Sequence, residues 1–116
     1  MSDECIFCKI AAGEVPVEKI YENDNFFSML DRNQSHKGHS LVISKNHFDN
    51  TLELPSTLGS ELIDCIKKTT LKLMKEYESG GFNLVCNNFG IAGQVVSHFH
   101  VHIFPRKKGD GVRIYE

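Results

Sequence analysis

The sequence contains no tryptophan and only three prolines among 116 residues, and 9% of its residues are aromatic. No apolar run approaches the ~20 residues that a membrane-spanning helix requires. Basic residues are in no excess either, because 13 Lys and Arg stand against 15 Asp and Glu and give a formal net charge of −2. That balance removes the basic surface typical of nucleic-acid-binding proteins. We therefore expect neither a membrane nor a nucleic acid as a partner.

The remaining composition is that of an ordinary globular chain, with 41% hydrophobic and 24% charged residues. No repeat or linker interrupts it, so we predict a single domain over residues 1–116. Residues 1–4 are acidic where a secretory signal would be basic, which favours a cytoplasmic protein. In a reducing compartment the pair Cys5-x-x-Cys8 indicates metal binding or redox chemistry, and Cys65 and Cys86 are expected to be core thiols.

Apolar spacing and turn residues predict two helices and five strands. A short helix is expected within residues 5–12, stopped by Gly13 and Pro16, and a long amphipathic helix from Leu58 to Tyr77. The long helix would carry an apolar stripe made of Leu62, Ile63, Ile66, Leu73, Met74 and Tyr77. The predicted strands are residues 19–22, 26–30, 39–44, 82–87 and 95–104, the last ended by Pro105.

The order of these elements favours an α+β fold. The strands come in a group, with the long helix between the third and the fourth, which predicts a meandering five-stranded antiparallel sheet rather than alternating βαβ units. One long and one short helix leave an edge of this sheet uncovered. We expect a homodimer to cover it.

Six histidines in so short a chain are unusual, and three of them alternate within residues 98–104. On an extended chain alternate side chains share a face, so His98, His100 and His102 would point one way and Phe99, Val101 and Ile103 towards the core. Core packing does not explain a row of imidazoles, since burying an imidazole carries a polar cost.

Two functions fit such a row. His-x-His on a strand can place two imidazoles on one zinc ion. Alternatively, a neutral imidazole can attack phosphorus and carry a covalent phosphoryl or nucleotidyl group. The residues alone leave this choice open.

The chain resembles the histidine-triad family of nucleotide hydrolases and transferases, whose signature is three histidines alternating with apolar residues. Residues 98–104 match that signature completely, and further short motifs occur in the family's order at residues 5–10, 14–16, 31, 38–43, 83–88 and 92–94. The resemblance implies the fold of that family. It also implies a nucleotide hydrolase that cleaves at the α-phosphorus of purine nucleoside phosphoramidates.

The resemblance assigns catalytic roles to three histidines. His100 would be the nucleophile that forms a nucleotidyl-histidine, His102 would bind the α-phosphate oxygens, and His39 would join the same hydrogen-bonded group. By contrast, His36 lies in a polar loop and matches no role.

The resemblance also implies the substrate contacts. Asp31 would accept the ribose hydroxyls, Asn87 would contact ribose and phosphate, and the backbone of Gly93 and Gln94 would face the phosphate. The residues expected to line the base pocket are Phe7, Ile10 and Val15. Val95 departs from the Ser or Thr of many phosphoramidases, so no hydroxyl there can protonate an amine leaving group. Ser97 lies two residues on and would share the face of position 95 in a regular strand, and we expect a slower or differently selective enzyme.

The family's cysteine-containing branch implies a closed, structural zinc site formed by Cys5, Cys8, His47 and His98. Two other functions remain open. Gln94 and the basic stretch Arg106-Lys107 favour a dinucleoside polyphosphate hydrolase. A non-catalytic, zinc-stabilised nucleotide-binding module is the third possibility.

Overall fold

The computed structural model describes residues 5–112 and forms an antiparallel sheet with a helix on each face. The acidic residues 1–4, from which we predicted a cytoplasmic location, lie outside the described residues, as do residues 113–116. The elements in chain order are α1 (Ile6–Ala11), β1 (Tyr21–Glu22), β2 (Phe26–Leu30), β3 (Ser40–Ser44), α2 (Gly59–Glu76), β4 (Gly81–Val85) and β5 (His100–Arg106). This confirms the predicted α+β class with five antiparallel strands and one long and one short helix.

The strand order is β1-β2-β3-β5-β4, so the sheet is not the simple meander that we predicted. β5 lies between β3 and β4, pairing Val42 with Val101 and Leu84 with Ile103. The apolar side chains of β5 explain its central place, since Val101 and Ile103 are buried and a central strand is covered most completely.

The two helices cover opposite faces of the sheet. α2 packs Cys65, Ile66 and Leu73 against the face that carries Phe99, Val101 and Ile103. α1 packs Phe7 and Ile10 against the other face, on Phe27, Leu41 and Ile43. β2 and β3 are therefore apolar on both faces, and the even-numbered residues of β5 share the α1 face.

α1 begins at a cysteine cap and ends at a glycine. The Cys5 side chain accepts a hydrogen bond from the Cys8 backbone N–H, which serves one of the free donors of the first turn. Gly13 follows the helix with φ of +81°, a conformation that side chains disfavour, so the predicted stop at Gly13 is confirmed.

The boundaries of β5 differ from the prediction at both ends. The ladder begins at His100, because the Phe99 N–H donates to the Phe48 carbonyl and not to a neighbouring strand. Pro105 lies within β5 rather than ending it. The Pro105 carbonyl points to the β3 side of the strand, where it is bonded to His36, and its nitrogen points to the same side. Pairing with β3 has already stopped at Ile103, so the missing N–H of Pro105 removes no hydrogen bond between strands.

Two smaller expectations were wrong. Ile63 is 53% exposed and lies outside the buried stripe of α2. Cys65 is buried as expected, but Cys86 is exposed, because β4 ends at Val85 and the chain turns outward. Within residues 5–112, no helix has the length and apolar character needed to cross a bilayer.

Candidate active site

His100 is the best-placed nucleophile on the α1 face of the sheet. Its Nδ1 lies 2.7 Å from the carbonyl oxygen of His98, and a carbonyl can only accept, so Nδ1 carries the proton. In the neutral ring Nε2 then holds the free lone pair. The edge of the ring packs against Phe7, with the centroids 5.1 Å apart, which fixes the orientation of the imidazole.

His102 is connected to His39, which directly precedes β3, and through it to Asp31, which directly follows β2. His102 Nδ1 lies 2.9 Å from His39 Nε2, and His39 Nδ1 lies 3.3 Å from an Asp31 carboxylate oxygen. The ring of Phe104 stacks on His39, with the centroids 4.2 Å apart and the planes 12° from parallel. Asp31, His39 and His102 therefore form a continuous polar chain held against an aromatic face.

Burial controls the charge of this pair of histidines. Desolvation, followed by the neighbouring His100 and His39, lowers the pKa of His102 to about 4. Desolvation and the nearby His36 lower the pKa of His39, and Asp31 opposes that shift. Both rings are therefore neutral at neutral pH in the free protein.

A cavity of about 430 Å³ opens in front of these imidazoles. It is lined by most of the residues predicted for catalysis and substrate binding, namely Phe7, Ile10, Asp31, Asn87, Gly93, Val95, His100 and His102. The sequence did not indicate five other lining residues, Ile6, Met29, Arg32, Leu41 and Val96. A larger cavity of about 680 Å³ lies beside Leu30 and the C-terminal half of α2, but no histidine lines it. We therefore take the smaller cavity as the candidate active-site cleft.

Three of the predicted substrate contacts differ in position from the prediction. Val15 packs against the core cluster around Phe7 and Ile10 and does not line the cleft. The Gln94 side chain holds its own loop, because its amide donates to the Asp49 carbonyl and its carbonyl accepts from the Phe89 N–H. The backbone N–H groups of Gly93 and Gln94 close the turn by donating to Gly90 and Phe89, so in this structure they do not face the cleft.

The predicted leaving-group side of the cleft is apolar. Val95 is 92% exposed at the rim. Ser97, the nearest hydroxyl to position 95 in the sequence, is exposed but does not line the cleft. Arg106 of the basic stretch is also engaged elsewhere, since its guanidinium bonds to Asp110 and Asn83.

A second cluster brings together Cys5, Cys8, His47 and His98, whose donor atoms all lie within 4.8 Å of one another. Cys5 Sγ lies 3.3 Å from His98 Nδ1, Cys8 Sγ lies 3.2 Å from His47 Nδ1, and the two Nδ1 atoms are 3.2 Å apart. A tetrahedral zinc ion separates neighbouring sulfur and nitrogen ligands by roughly 3.5 Å. These donors therefore fit a closed zinc site.

The surroundings of this cluster orient its donors. His98 Nε2 lies 2.7 Å from the Ser44 carbonyl and His47 Nε2 lies 2.8 Å from Asp49, which directs both Nδ1 atoms at the cluster. Burial and the neighbouring Cys5 thiol raise the pKa of Cys8 to about 11. A bound cation would remove that penalty, because metal binding favours the thiolate.

The fold and the imidazole-lined cleft together define the class of small histidine-triad proteins. Residues 12–109 match the HIT domain. The chain therefore belongs to the HIT, or histidine-triad, family.

Several relatives cover most of this chain. An uncharacterised HIT-like protein of Methanocaldococcus jannaschii is 44% identical over 92% of this chain and 82% of its own length. The Bacillus subtilis protein named Protein hit is 42% identical over 95% of this chain and 77% of its own. A crystal structure of a Streptococcus mutans UA159 protein superposes with a TM-score of 0.91 at 40% identity, covering all of this chain and 74% of that one.

Some relatives have names that state an activity. An adenylylsulfatase of Arabidopsis thaliana is 39% identical over 95% of this chain and 56% of its own length. An adenosine 5′-monophosphoramidase of Candida albicans is 39% identical over 89% of this chain and 70% of its own. The family thus includes relatives named as hydrolases of AMP-linked compounds.

Proposed function

We propose that the protein is a nucleotide hydrolase that breaks a bond at the α-phosphorus of purine nucleoside phosphoramidates. His100 Nε2 attacks phosphorus, the phosphorus–nitrogen bond breaks as the amine takes up a proton from solvent, and a nucleotidyl-His100 forms. Water then attacks the same phosphorus and gives up a proton, the bond to His100 breaks, and the nucleotide leaves with the histidine restored. Splitting one displacement into two suits imidazole, which is both a good nucleophile and a good leaving group.

The bond from His100 Nδ1 to the His98 carbonyl carries the proposal. It places the proton of the neutral ring on Nδ1, so that Nε2 is the nitrogen that holds the lone pair. The ring is buried against Phe7, so the attacking atom is oriented before substrate arrives.

The other cleft residues would hold the nucleotide. His102, supported by His39, would bind the α-phosphate oxygens, and Asp31 would accept the ribose hydroxyls. Phe7 and Ile10 offer apolar surface to the base, with Val15 behind them, and Asn87 borders the ribose and phosphate. Gly93 and Gln94 would contribute through the loop that they close rather than through free N–H groups.

We also propose that Cys5, Cys8, His47 and His98 hold one zinc ion. Four protein ligands leave no open position, so the ion would supply stability rather than chemistry. His98 would then be fixed from both of its ring nitrogens, and its carbonyl holds His100. We further propose a single-domain, cytoplasmic protein that acts as a homodimer.

Trapping of the covalent intermediate tests this function. Incubation with adenosine 5′-phosphoramidate followed by acid-free quenching and intact-mass spectrometry should give an adenylyl adduct on His100. The adduct and turnover should both be absent in His100→Ala, while His36→Ala serves as a matched histidine control.

The outcomes separate the remaining functions. Nucleotide binding with no adduct would instead support the non-catalytic binding module. Faster cleavage of diadenosine polyphosphates than of the phosphoramidate would support the polyphosphate hydrolase, although Gln94 and Arg106 are both bonded within the chain.

A further inference from the structure

The chain of Asp31, His39 and His102 has a consequence for the protonation of the site. The contact between His39 Nε2 and His102 Nδ1 is 2.9 Å long and joins two ring nitrogens. Only one proton can lie between them, so one nitrogen donates and the other accepts. The direction of that bond decides whether Nε2 of a neutral His102 carries a proton that it can donate in the cleft.

Asp31 favours one direction. One of its carboxylate oxygens lies 3.3 Å from His39 Nδ1, and the Asn33 backbone is also hydrogen-bonded to the His39 ring. The attraction of the carboxylate favours the proton of the neutral ring on Nδ1. His39 Nε2 is then bare and must accept from His102 Nδ1. In a neutral His102 this leaves Nε2 without a proton, and a bare nitrogen repels a phosphate oxygen.

We propose that Asp31, His39 and His102 form a proton relay that makes the protein take up one proton when a phosphate group binds, so that His102 meets the phosphate oxygens as an imidazolium. The inference rests on the proposed function and adds a second role for Asp31. The carboxylate that would accept the ribose hydroxyls also fixes the proton on His39. Ribose recognition and phosphate recognition are thereby coupled through the charge of Asp31 and the hydrogen bond between His39 and His102.

The surroundings favour this arrangement. Phe104 stacks on His39 and holds its ring in line between its two partners. Other titratable groups facing the pair are His36 from the loop before β3 and His100 on β5, and Arg32 lines the same cleft. The three relay residues also have donor spacings that suit a metal ion. However, His39 uses a different ring nitrogen for each neighbour, whereas metal ligands direct their donors at one point.

The sign of the pH dependence follows from the relay. The pKa of His102 is about 4 in the free protein, so the ring is neutral near neutral pH and charged once an anion binds. At pH values between the pKa of His102 in the free protein and its pKa in the complex, affinity for a monoanionic phosphate ester should fall about tenfold per pH unit as the pH rises.

Proton uptake can be measured directly by titration calorimetry on the zinc-loaded protein. The probe is the methyl ester of AMP, which stays monoanionic in this range and has a poor leaving group. Titration at about pH 6.5, near the ordinary pKa of histidine, is repeated in two buffers with different heats of ionisation. The difference in observed heat gives the protons taken up per ligand bound.

We expect close to one proton in the natural protein and a clear loss of uptake in His39→Gln. The glutamine amide can donate to His102 Nδ1, which frees His102 to present a neutral Nε2–H. His36→Gln is the matched control, and its uptake should equal that of the natural protein. If His39→Gln binds too weakly, ¹⁵N chemical shifts of His102 with bound probe report whether both ring nitrogens are protonated.

Three results would overturn the relay: no uptake in the natural protein, unchanged uptake in His39→Gln, or a second zinc per chain that is lost in His39→Gln. The last result would make the three residues a metal site. Failure of the probe to bind at all would contradict the proposed function, whereas binding without uptake contradicts the relay alone.

Discussion

The side chain at position 95 is expected to affect protonation of the leaving amine in the cleft. An amine leaves phosphorus only after its nitrogen gains a proton, and no hydroxyl stands at position 95 to relay one. We expect Val95→Ser to raise turnover of adenosine 5′-phosphoramidate by roughly tenfold, which is less than the ~100-fold or more that a fully positioned proton donor contributes. Steady-state rates of purified variants measure this.

Two controls isolate the effect. Ser97→Ala should leave the rate unchanged, because Ser97 lies outside the cleft lining. Hydrolysis of the p-nitrophenyl ester of AMP, whose leaving group departs as a stable anion, should gain nothing from Val95→Ser. An unchanged or lower phosphoramidate rate in that variant would refute the role of position 95.

At the same scale, the sequence pattern predicts which residue types gather in the cleft but not how they bond. Alternation within residues 98–104 indicates a shared imidazole face, and the family resemblance adds Asp31 and His39. The contact between those two was not predicted. It depends on the register of β2 and β3, which places Asp31 beside His39 at the end of the hairpin, where the Asp31 N–H donates to the His39 carbonyl.

Helix α1 and the segment before β5 are the elements that the proposed zinc ion would join. Cys5 and Cys8 come from α1 and its cap, His98 precedes β5, and His47 follows β3. We expect protein never exposed to chelator to contain about one zinc per chain, as a closed site of four ligands requires. Cys8→Ser should lose the metal and lower Tm by about 10 °C, since metal binding free energy is folding free energy.

Cys86→Ser provides the matched control, because Cys86 is exposed and lies outside the cluster. Elemental analysis and thermal unfolding are the readouts, so the test does not depend on activity. Zinc far below one per chain in the untreated protein would end the proposal.

Element boundaries were predicted less well than element types, and β5 shows the reason. The alternating pattern continues from residue 95 to 104 in the sequence, but a ladder needs a partner strand. β3 supplies that partner only opposite His100 to Ile103. Pro105 terminates a strand only where its N–H would be needed, and the position of neighbouring strands is not visible in local sequence.

On the scale of the whole molecule, the two edges of the sheet differ. One edge is β1, which has only two residues. The other is β4, a five-residue strand whose Phe82 and Leu84 are 44% and 45% exposed on the face covered by α2. An apolar edge strand invites pairing with another chain, and pairing with a second copy satisfies both its backbone and its side chains.

We therefore place the proposed homodimer at β4. Leu84→Lys should put a charge into the contact and raise the dimer dissociation constant by at least about tenfold, as expected for a central interface residue. Light scattering after size-exclusion chromatography, over a dilution series, measures the mass. Leu30→Lys is the matched control, because Leu30 is a strand leucine with a similar exposure of 42% and lies on β2, away from that edge. A natural protein that stays monomeric at high concentration, or a dimer equally weakened by both variants, would show that β4 is not the interface.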